Sequence, residues 1–268
     1  MSLIEREKQV FLALEKIKNN EFVVIGGYAI NAFTIPRFSV DCDIVVKSVS
    51  ESTKVIRKLK EIGFKERKDV RRLYGEKFVT LRTENKTSFD ILISEVSDRK
   101  TEKVIPAKTV FENSNKRIVY GKGSPTKIKT NVINPELLVL MKTISSRKTD
   151  IRDIFMLHTI KIDKKKLLNL IKEIGVPAKS IQTVKETITS KQFKDSIAGV
   201  YGNIQEEVFK NTLKKTLKTL KETSKITNKK EVKDSYIKKI HKIEKKHLKK
   251  YGYKTQSISE LTKEIEKQ

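Results

Sequence analysis

Apolar residues recur at helical spacing in the first segment. Leu3, Val10, Leu14 and Ile17, with Glu and Lys between them, predict an amphipathic helix over residues 3–17. The run 22–25 is uninterrupted and apolar, so it reads as a buried strand. Gly26-Gly27 breaks it, and a short helix is expected over 28–33. Ile35-Pro36-Arg37 forms a turn or loop. A second strand is predicted over 41–46, where Val40, Ile44, Val45 and Val46 flank two aspartates. Residues 50–62 read as a helix, with Ser50 as N-cap and Gly63 as stop. Residues 77–81 and 88–93 read as strands joined by a polar hairpin loop at 82–87. Two glycines in 119–124, followed by Pro125, mark a change of structure.

After Pro135 the strand pattern gives way to helical spacing, over 136–144, 151–160, 164–174, 181–189 and 205–220. A Lys-dense helix follows over 229–250, with Ile237, Ile240, Ile243 and Leu248 as a loose apolar stripe. The predicted class is α+β: a domain at 1–128 with a mixed sheet flanked by helices, then a basic helical domain at 129–268.

Composition narrows the function classes. The 268 residues carry 59 Lys+Arg against 33 Asp+Glu, a formal net charge of +26. Such an excess suits a polyanion, because cations placed on phosphates release condensed counterions. The alternative is a Lys-rich surface from a biased genome or a hot habitat, which the scarce Met, Cys and Trp also fit. The single cysteine, Cys42, excludes an intramolecular disulfide framework and a Cys-rich zinc module. No apolar run approaches the ~20 residues of a membrane span. The charged N-terminus lacks the apolar stretch of a signal peptide, so a cytoplasmic protein with no membrane partner is expected. All arginines lie at or before Arg152, whereas from Tyr201 onward 19 Lys stand against 9 acids. Arg suits fixed bidentate phosphate contacts and Lys suits general attraction, although the Lys-rich tail also reads as a solvated face.

The candidate chemistry lies in two places. A strand ending in Gly26-Gly27 admits close approach of a ligand, with no Cβ in the way, and the helix start after it suits phosphates. Asp41 and Asp43, at i and i+2 on a strand, point to one face and repel unless a cation lies between them. Hard oxygen ligands of this kind select Mg²⁺ or Mn²⁺. A bare Asp-x-Asp is more often a pair of exposed loop acids. Asp90 changes that reading by interrupting an otherwise apolar strand, and three carboxylates suit metal-assisted phosphoryl transfer. The three histidines make no convincing metal site, Cys42 points into the core, and Tyr74, Tyr120, Tyr201, Tyr251 and Tyr253 serve base stacking or packing.

Gly26-Gly27, a short helix, Arg37-x-Ser39-x-Asp41-x-Asp43 and the later Asp90 resemble the nucleotidyltransferase superfamily of the polymerase beta type. The resemblance is strongest to its AbiEii/MenT-like group, the nucleotidyltransferase toxins of toxin–antitoxin pairs. That group carries a Lys on a helix and then an Asp-rich helix start, matched here by Lys142 and by Arg147-Lys148-Thr149-Asp150-Ile151-Arg152-Asp153. Gly27 stands where the wider superfamily has Ser. The resemblance spans roughly residues 20–160, and the chain beyond matches nothing in that family. It implies a nucleotidyltransferase domain in which Asp41, Asp43 and Asp90 bind Mg²⁺ or Mn²⁺, with Asp90 also helping deprotonate the attacking hydroxyl. Gly26, Gly27 and Ser39 belong to the nucleotide site. Arg37 either faces the triphosphate or pairs with a nearby Asp. Lys142 either reaches a phosphate or is one more solvated Lys. Asp150, rather than Asp153, completes the second cluster, unless it only favours its helix N-terminus.

The resulting expectation is transfer of NMP from an NTP to an RNA 3′ end, with tRNA first, possible action as a toxin, and an antitoxin protein as a possible partner. The competing readings are a non-catalytic nucleic-acid-binding protein on a transferase scaffold, a small-molecule nucleotidyltransferase of the antibiotic-modifying type, and a subunit assembling with an acidic protein. A +26 surface repels a cationic antibiotic, which places that reading lower.

Overall fold

The computed structural model describes residues 2–39, 41–67 and 77–251. Val40, Tyr74 and Tyr253, named above, lie outside the described residues.

The chain begins with α1 (Leu3–Ile17), capped by a reciprocal Ser2–Glu5 pairing. It continues through β1 (Val23–Ile25), α2 (Gly26–Asn31), β2 (Asp41–Val46), α3 (Val49–Glu61) and β3 (Lys65–Glu66). After these come β4 (Phe78–Arg82), β5 (Ser88–Ile93), β6 (Glu95–Ser97), β7 (Val104–Pro106) and α4 (Ala107–Glu112). The outer hairpin is β8 (Ser114–Tyr120) with β9 (Lys127–Ile133). Helices complete the described chain: α5 (Pro135–Ser145), α6 (Lys148–Leu157), α7 (Lys164–Ile174), α8 (Ala178–Thr189), α9 (Phe193–Tyr201) and α10 (Glu206–Tyr251).

Seven strands form one mixed sheet in the order β3-β4-β5-β2-β1-β9-β8. Pairs β2/β5 and β1/β9 are parallel and the other neighbours antiparallel. Strands β6 and β7 make a separate two-stranded ribbon. The α+β class expected from the sequence holds, and the buried apolar core runs without a break from the sheet into the helices that follow.

Several elements differ from expectation. Helix α2 starts at Gly26, because the positive φ of that glycine (65°) turns the chain directly out of β1. Ser48, not Ser50, caps α3 by accepting from the Glu51 amide. Helix α6 begins at Lys148, three residues before the expected start at 151. The two helices expected over 205–220 and 229–250 are one helix, since no Gly or Pro interrupts α10. Strands β8 and β9 and the β6–β7 ribbon are additions to the predicted elements. Strand β9 crosses the 128/129 boundary and lies against β1.

Register decides which side chains share a face, because residues alternate along a strand and cross-strand partners match. Val24 pairs with Val132, so Ile25 and Ile133 lie together on the opposite face. Ile25 pairs with Asp43, and Asp43 pairs with Asp90. Cys42, between the two aspartates of β2, points to the other side and is fully buried.

The turn of the outer hairpin is held by one buried acid. Glu7, on α1 and 0% exposed, accepts from the amides of Lys122 (2.9 Å), Gly123 (2.7 Å) and Ser124 (2.8 Å). A Cβ at Gly121 would stand 2.6 Å from the same carboxylate, so this turn also requires a glycine. Glu7→Ala leaves three amides without this acceptor, and we expect it to lower unfolding free energy by roughly 2–3 kcal/mol. Urea denaturation followed by circular dichroism measures this, with an unchanged midpoint as the contrary result.

Candidate active site

Asp41 and Asp43 stand on β2 and Asp90 on the neighbouring parallel strand β5, with Asp43 and Asp90 directly paired in register. One carboxylate oxygen from each lies within 4.8 Å of the others. Their local support is neutral. Ser39 Oγ donates to Asp41 (3.3 Å), and Thr80 Oγ1 donates to Asp90 (2.8 Å). None of the three forms an ion pair with a described residue. Burial, then Asp41 and Asp90, push Asp43 up to about 7. Burial also raises Asp90, opposed by the hydrogen bond from Thr80.

Gly26 sits against this cluster. A Cβ there would fall 1.9 Å from Asp43 Oδ2, so the sharp β1–α2 turn and the aspartate fit together only with glycine. Gly27 is as closely placed: its Cβ would meet Ser39 Oγ at 2.4 Å and Arg37 Nη2 at 3.3 Å. The loop leading to Asp41 is fixed from beneath. Asn31 accepts from the Arg37 amide (3.0 Å) and donates to the Arg37 carbonyl (2.9 Å), while Tyr28 donates to the Ser39 carbonyl (3.1 Å).

The second cluster is a buried ion network. Lys142 on α5 lies 2.7 Å from Asp150 and 2.8 Å from Asp153, both on α6. Arg37 donates to Asp153 through Nε (2.8 Å) and Nη2 (2.7 Å), and the Tyr201 hydroxyl donates to the same acid (2.5 Å). Asp150 also accepts from Arg147 (2.6 Å) and Ser145 (2.6 Å). Burial alone would raise Asp150, but Lys142 and Arg147 outweigh it and hold it at about 2. Asp153 is likewise lowered against its burial, by Lys142 and Arg37.

Both clusters line one cleft of about 460 Å³. Gly26, Asp43 and Asp90 form its sheet side, and Lys142, Arg147 and Asp150 its helical side. Arg99, Lys100 and Lys103, from the β6–β7 loop, line it as well. Three cations (Lys142, Arg37, Arg147) against two acids (Asp150, Asp153) leave the helical cluster at +1. The three acids of the sheet cluster carry −3 when ionised.

Of the sequence-derived site residues, Gly26, Asp43, Asp90, Lys142 and Asp150 line the cleft, while Gly27, Arg37, Ser39 and Asp41 stand beside it, tied to one another or to Asp153. Of the open alternatives, Arg37 pairs with an acid, and that acid is Asp153, 116 residues away. Lys142 is 7% exposed and ion-paired, not solvated. Both Asp150 and Asp153 belong to the cluster. Tyr201, a stacking or packing candidate in the sequence, instead donates to Asp153, and sequence reasoning missed the β6–β7 cations, which no local pattern marks. Arg147 carried one signal, its i,i+3 spacing to Asp150.

No protein-family model matches the chain, and no curated protein matches it in sequence. Among solved structures it is similar to the lincomycin-bound lincosamide antibiotic adenylyltransferase LnuA. That match has 22% identity, covers 58% of this chain and 98% of that one, and has a TM-score of 0.40. A provisionally assigned nucleotidyltransferase from H. pylori matches at 12% identity over 85% of this chain and 97% of its own, with a TM-score of 0.35. The STING-associated CdnE c-di-GMP synthase from Capnocytophaga granulosa matches at 11% identity over 85% and 82%, with a TM-score of 0.25. At TM-scores below 0.5 these likenesses carry no weight for the function of this chain, whose site must be read from its own geometry.

Two measurements follow from the two clusters. Folded Asp43 binds its proton below about 7, whereas the unfolded side chain does so only below 3.8. The folded state therefore holds more protons in between, and the stabilisation is lost as pH rises from about 4 through 7. In chelator the melting temperature is expected to fall over that range, less steeply in Asp43→Asn, and added Mg²⁺ or Mn²⁺ should restore it at the upper end. Asp153→Ala removes the only acid paired with Arg37 among the described residues and leaves Lys142 with Asp150 alone. It should cost roughly 3–5 kcal/mol in chemical denaturation, and a cost below 1 kcal/mol would contradict the network.

Proposed function

We propose that the protein is a metal-dependent nucleotidyltransferase, moving an NMP from an NTP to a hydroxyl acceptor. The observation that carries this reading is the convergence of Asp41, Asp43 and Asp90 on one sheet face, opposite a cationic wall in the same cleft. Three carboxylates with no ion-pair partner among the described residues, one of them raised to about 7, make a hard-oxygen site that fits Mg²⁺ or Mn²⁺. A divalent ion held there supplies Lewis-acid neutralisation of the triphosphate.

The chain's own groups have separable tasks. Gly26 and Gly27 leave room for Asp43 and Ser39 to pack against the β1–α2 turn, and so set where the acids and the nucleotide loop stand. Arg147, Arg99 and Lys103 offer positive charge to the phosphates, and Lys142 is held rigid by its two acids. Arg37 acts through Asp153, fixing the loop that presents Ser39 and Asp41. Asp90, whose proton affinity is raised, takes the proton of the attacking hydroxyl. The attacking oxygen forms the new bond to the α-phosphorus, the bond to the β-phosphate bridge breaks, and pyrophosphate leaves.

The acceptor in this reading is an RNA 3′ end, tRNA first, because a net charge of +26 favours a folded polyanion over a cationic small molecule. Membership of the AbiEii/MenT-like group, action as a toxin and control by an antitoxin protein belong to the same proposal and rest on the sequence resemblance.

The test is incubation with each α-phosphate-labelled NTP, Mg²⁺ and total RNA. Label is expected in a tRNA-sized band, and Asp41→Ala/Asp43→Ala should reduce it by roughly a thousand-fold or more, on the order of losses seen when catalytic groups are removed. Label in a small molecule would move the acceptor to the antibiotic class. No label in anything, with RNA still retained, would favour a binding module.

A further inference from the structure

The outer hairpin carries features that the cleft does not use. Residues 114–133 contain five cations, Lys116, Arg117, Lys122, Lys127 and Lys129, and no acid. None of the five is buried, and none is ion-paired among the described residues. Ile118 pairs with Lys129 and Tyr120 with Lys127, so these four share one face of the ribbon with Lys116. On that face Ile118 is 41% exposed and Tyr120 36%. The same alternation, followed along β9 to Ile133 and across β1 to Asp43, makes it the face on which the acid cluster stands. Strand β9 lies two strand spacings from β2, roughly 10 Å.

Lysines on an edge strand guard against edge-to-edge pairing. That protection requires neither an exposed tyrosine and isoleucine among them nor the absence of every acid from the hairpin. Cations interleaved with an exposed ring are instead the arrangement that tracks a nucleic-acid backbone while stacking its bases. Lys127 Nζ already lies 5.5 Å from the Tyr120 ring centroid. The hairpin is also joined to the catalytic loop, since Asn31 donates to both the Tyr120 carbonyl (3.1 Å) and the Arg37 carbonyl.

We infer that this face of the β8–β9 hairpin docks single-stranded RNA, with phosphates on Lys116, Lys127 and Lys129 and a base on Tyr120. The docked strand runs beside the cleft, so that its end enters as the acceptor. This purpose rests on the transferase reading, but the docking itself is measurable without catalysis.

The experiment is fluorescence anisotropy of a labelled single-stranded RNA oligonucleotide across a salt series, with metal chelated. Lys116→Gln/Lys127→Gln/Lys129→Gln should weaken binding roughly ten-fold or more and lower the log–log salt slope by about 2, near 0.7 for each phosphate no longer neutralised. Tyr120→Ser should weaken it between about five-fold and a hundred-fold with the slope unchanged. A control, Lys161→Gln/Lys165→Gln/Lys185→Gln, removes three exposed lysines of the helical part and should leave affinity within about two- to three-fold. Unchanged melting temperatures establish that the variants fold. Equal losses in both triple variants, or no loss on Tyr120→Ser, would overturn the inference. So would one-for-one displacement of RNA by polyglutamate, which would point to an acidic protein. RNA binding abolished in the hairpin variants while labelled NTP enters no acceptor would keep the docking surface and remove the transferase reading.

Discussion

Asp153 is the point through which the candidate site is held together. It receives Arg37 from the loop before β2, Lys142 from α5 and the Tyr201 hydroxyl from the end of α9, while being 0% exposed. A lone buried carboxylate is strongly unfavourable, and so are two buried cations, so each makes the others tolerable. The consequence is geometric. The loop carrying Ser39 toward Asp41 cannot drift without uncoupling a charge from its partner in the interior. A segment with little packing of its own thus inherits the rigidity of the helices.

The two clusters answer the same electrostatic problem in opposite ways. On the helical side, acids are matched by cations at hydrogen-bond distance, and Asp150 stays ionised down to about 2. On the sheet side, three acids lean on neutral hydroxyls and on one another, and Asp43 holds its proton up to about 7. The chain carries a net charge of +26, yet among the described residues none of its cations forms an ion pair with these acids. In the proposed reading their charge is met by a divalent ion.

Much of this is legible in the sequence where the physical signal is local. Helix α1 and strand β2 follow from periodicity. Asp41, Asp43 and Asp90 stand out because acids within buried strands are costly. Strands β8 and β9 do not stand out. β9 does alternate, with Ile128, Thr130 and Val132 inward and Lys127, Lys129 and Asn131 outward. However, Thr and Asn dilute its apolar half, and Pro125 with two glycines reads as a break between domains instead of a hairpin turn. The pairing of Arg37 with Asp153 is equally hidden, since nothing in a sequence ranks partners 116 residues apart. The carboxylate of Glu7 looks like one more polar position on an amphipathic helix, yet it organises a turn over a hundred residues away.

Cys42 adds something of a different kind. It is the only thiol in the chain, and it lies between two of the acids while pointing away from them into the core. Burial first, then the negative charge of Asp43, Asp41 and Asp90, raise its thiol and suppress the thiolate that an alkylating reagent needs. The rate at which it becomes labelled therefore clocks how often strand β2 itself opens. A native residue thus serves as a reporter on the breathing of the strand that carries the acids, with no probe introduced.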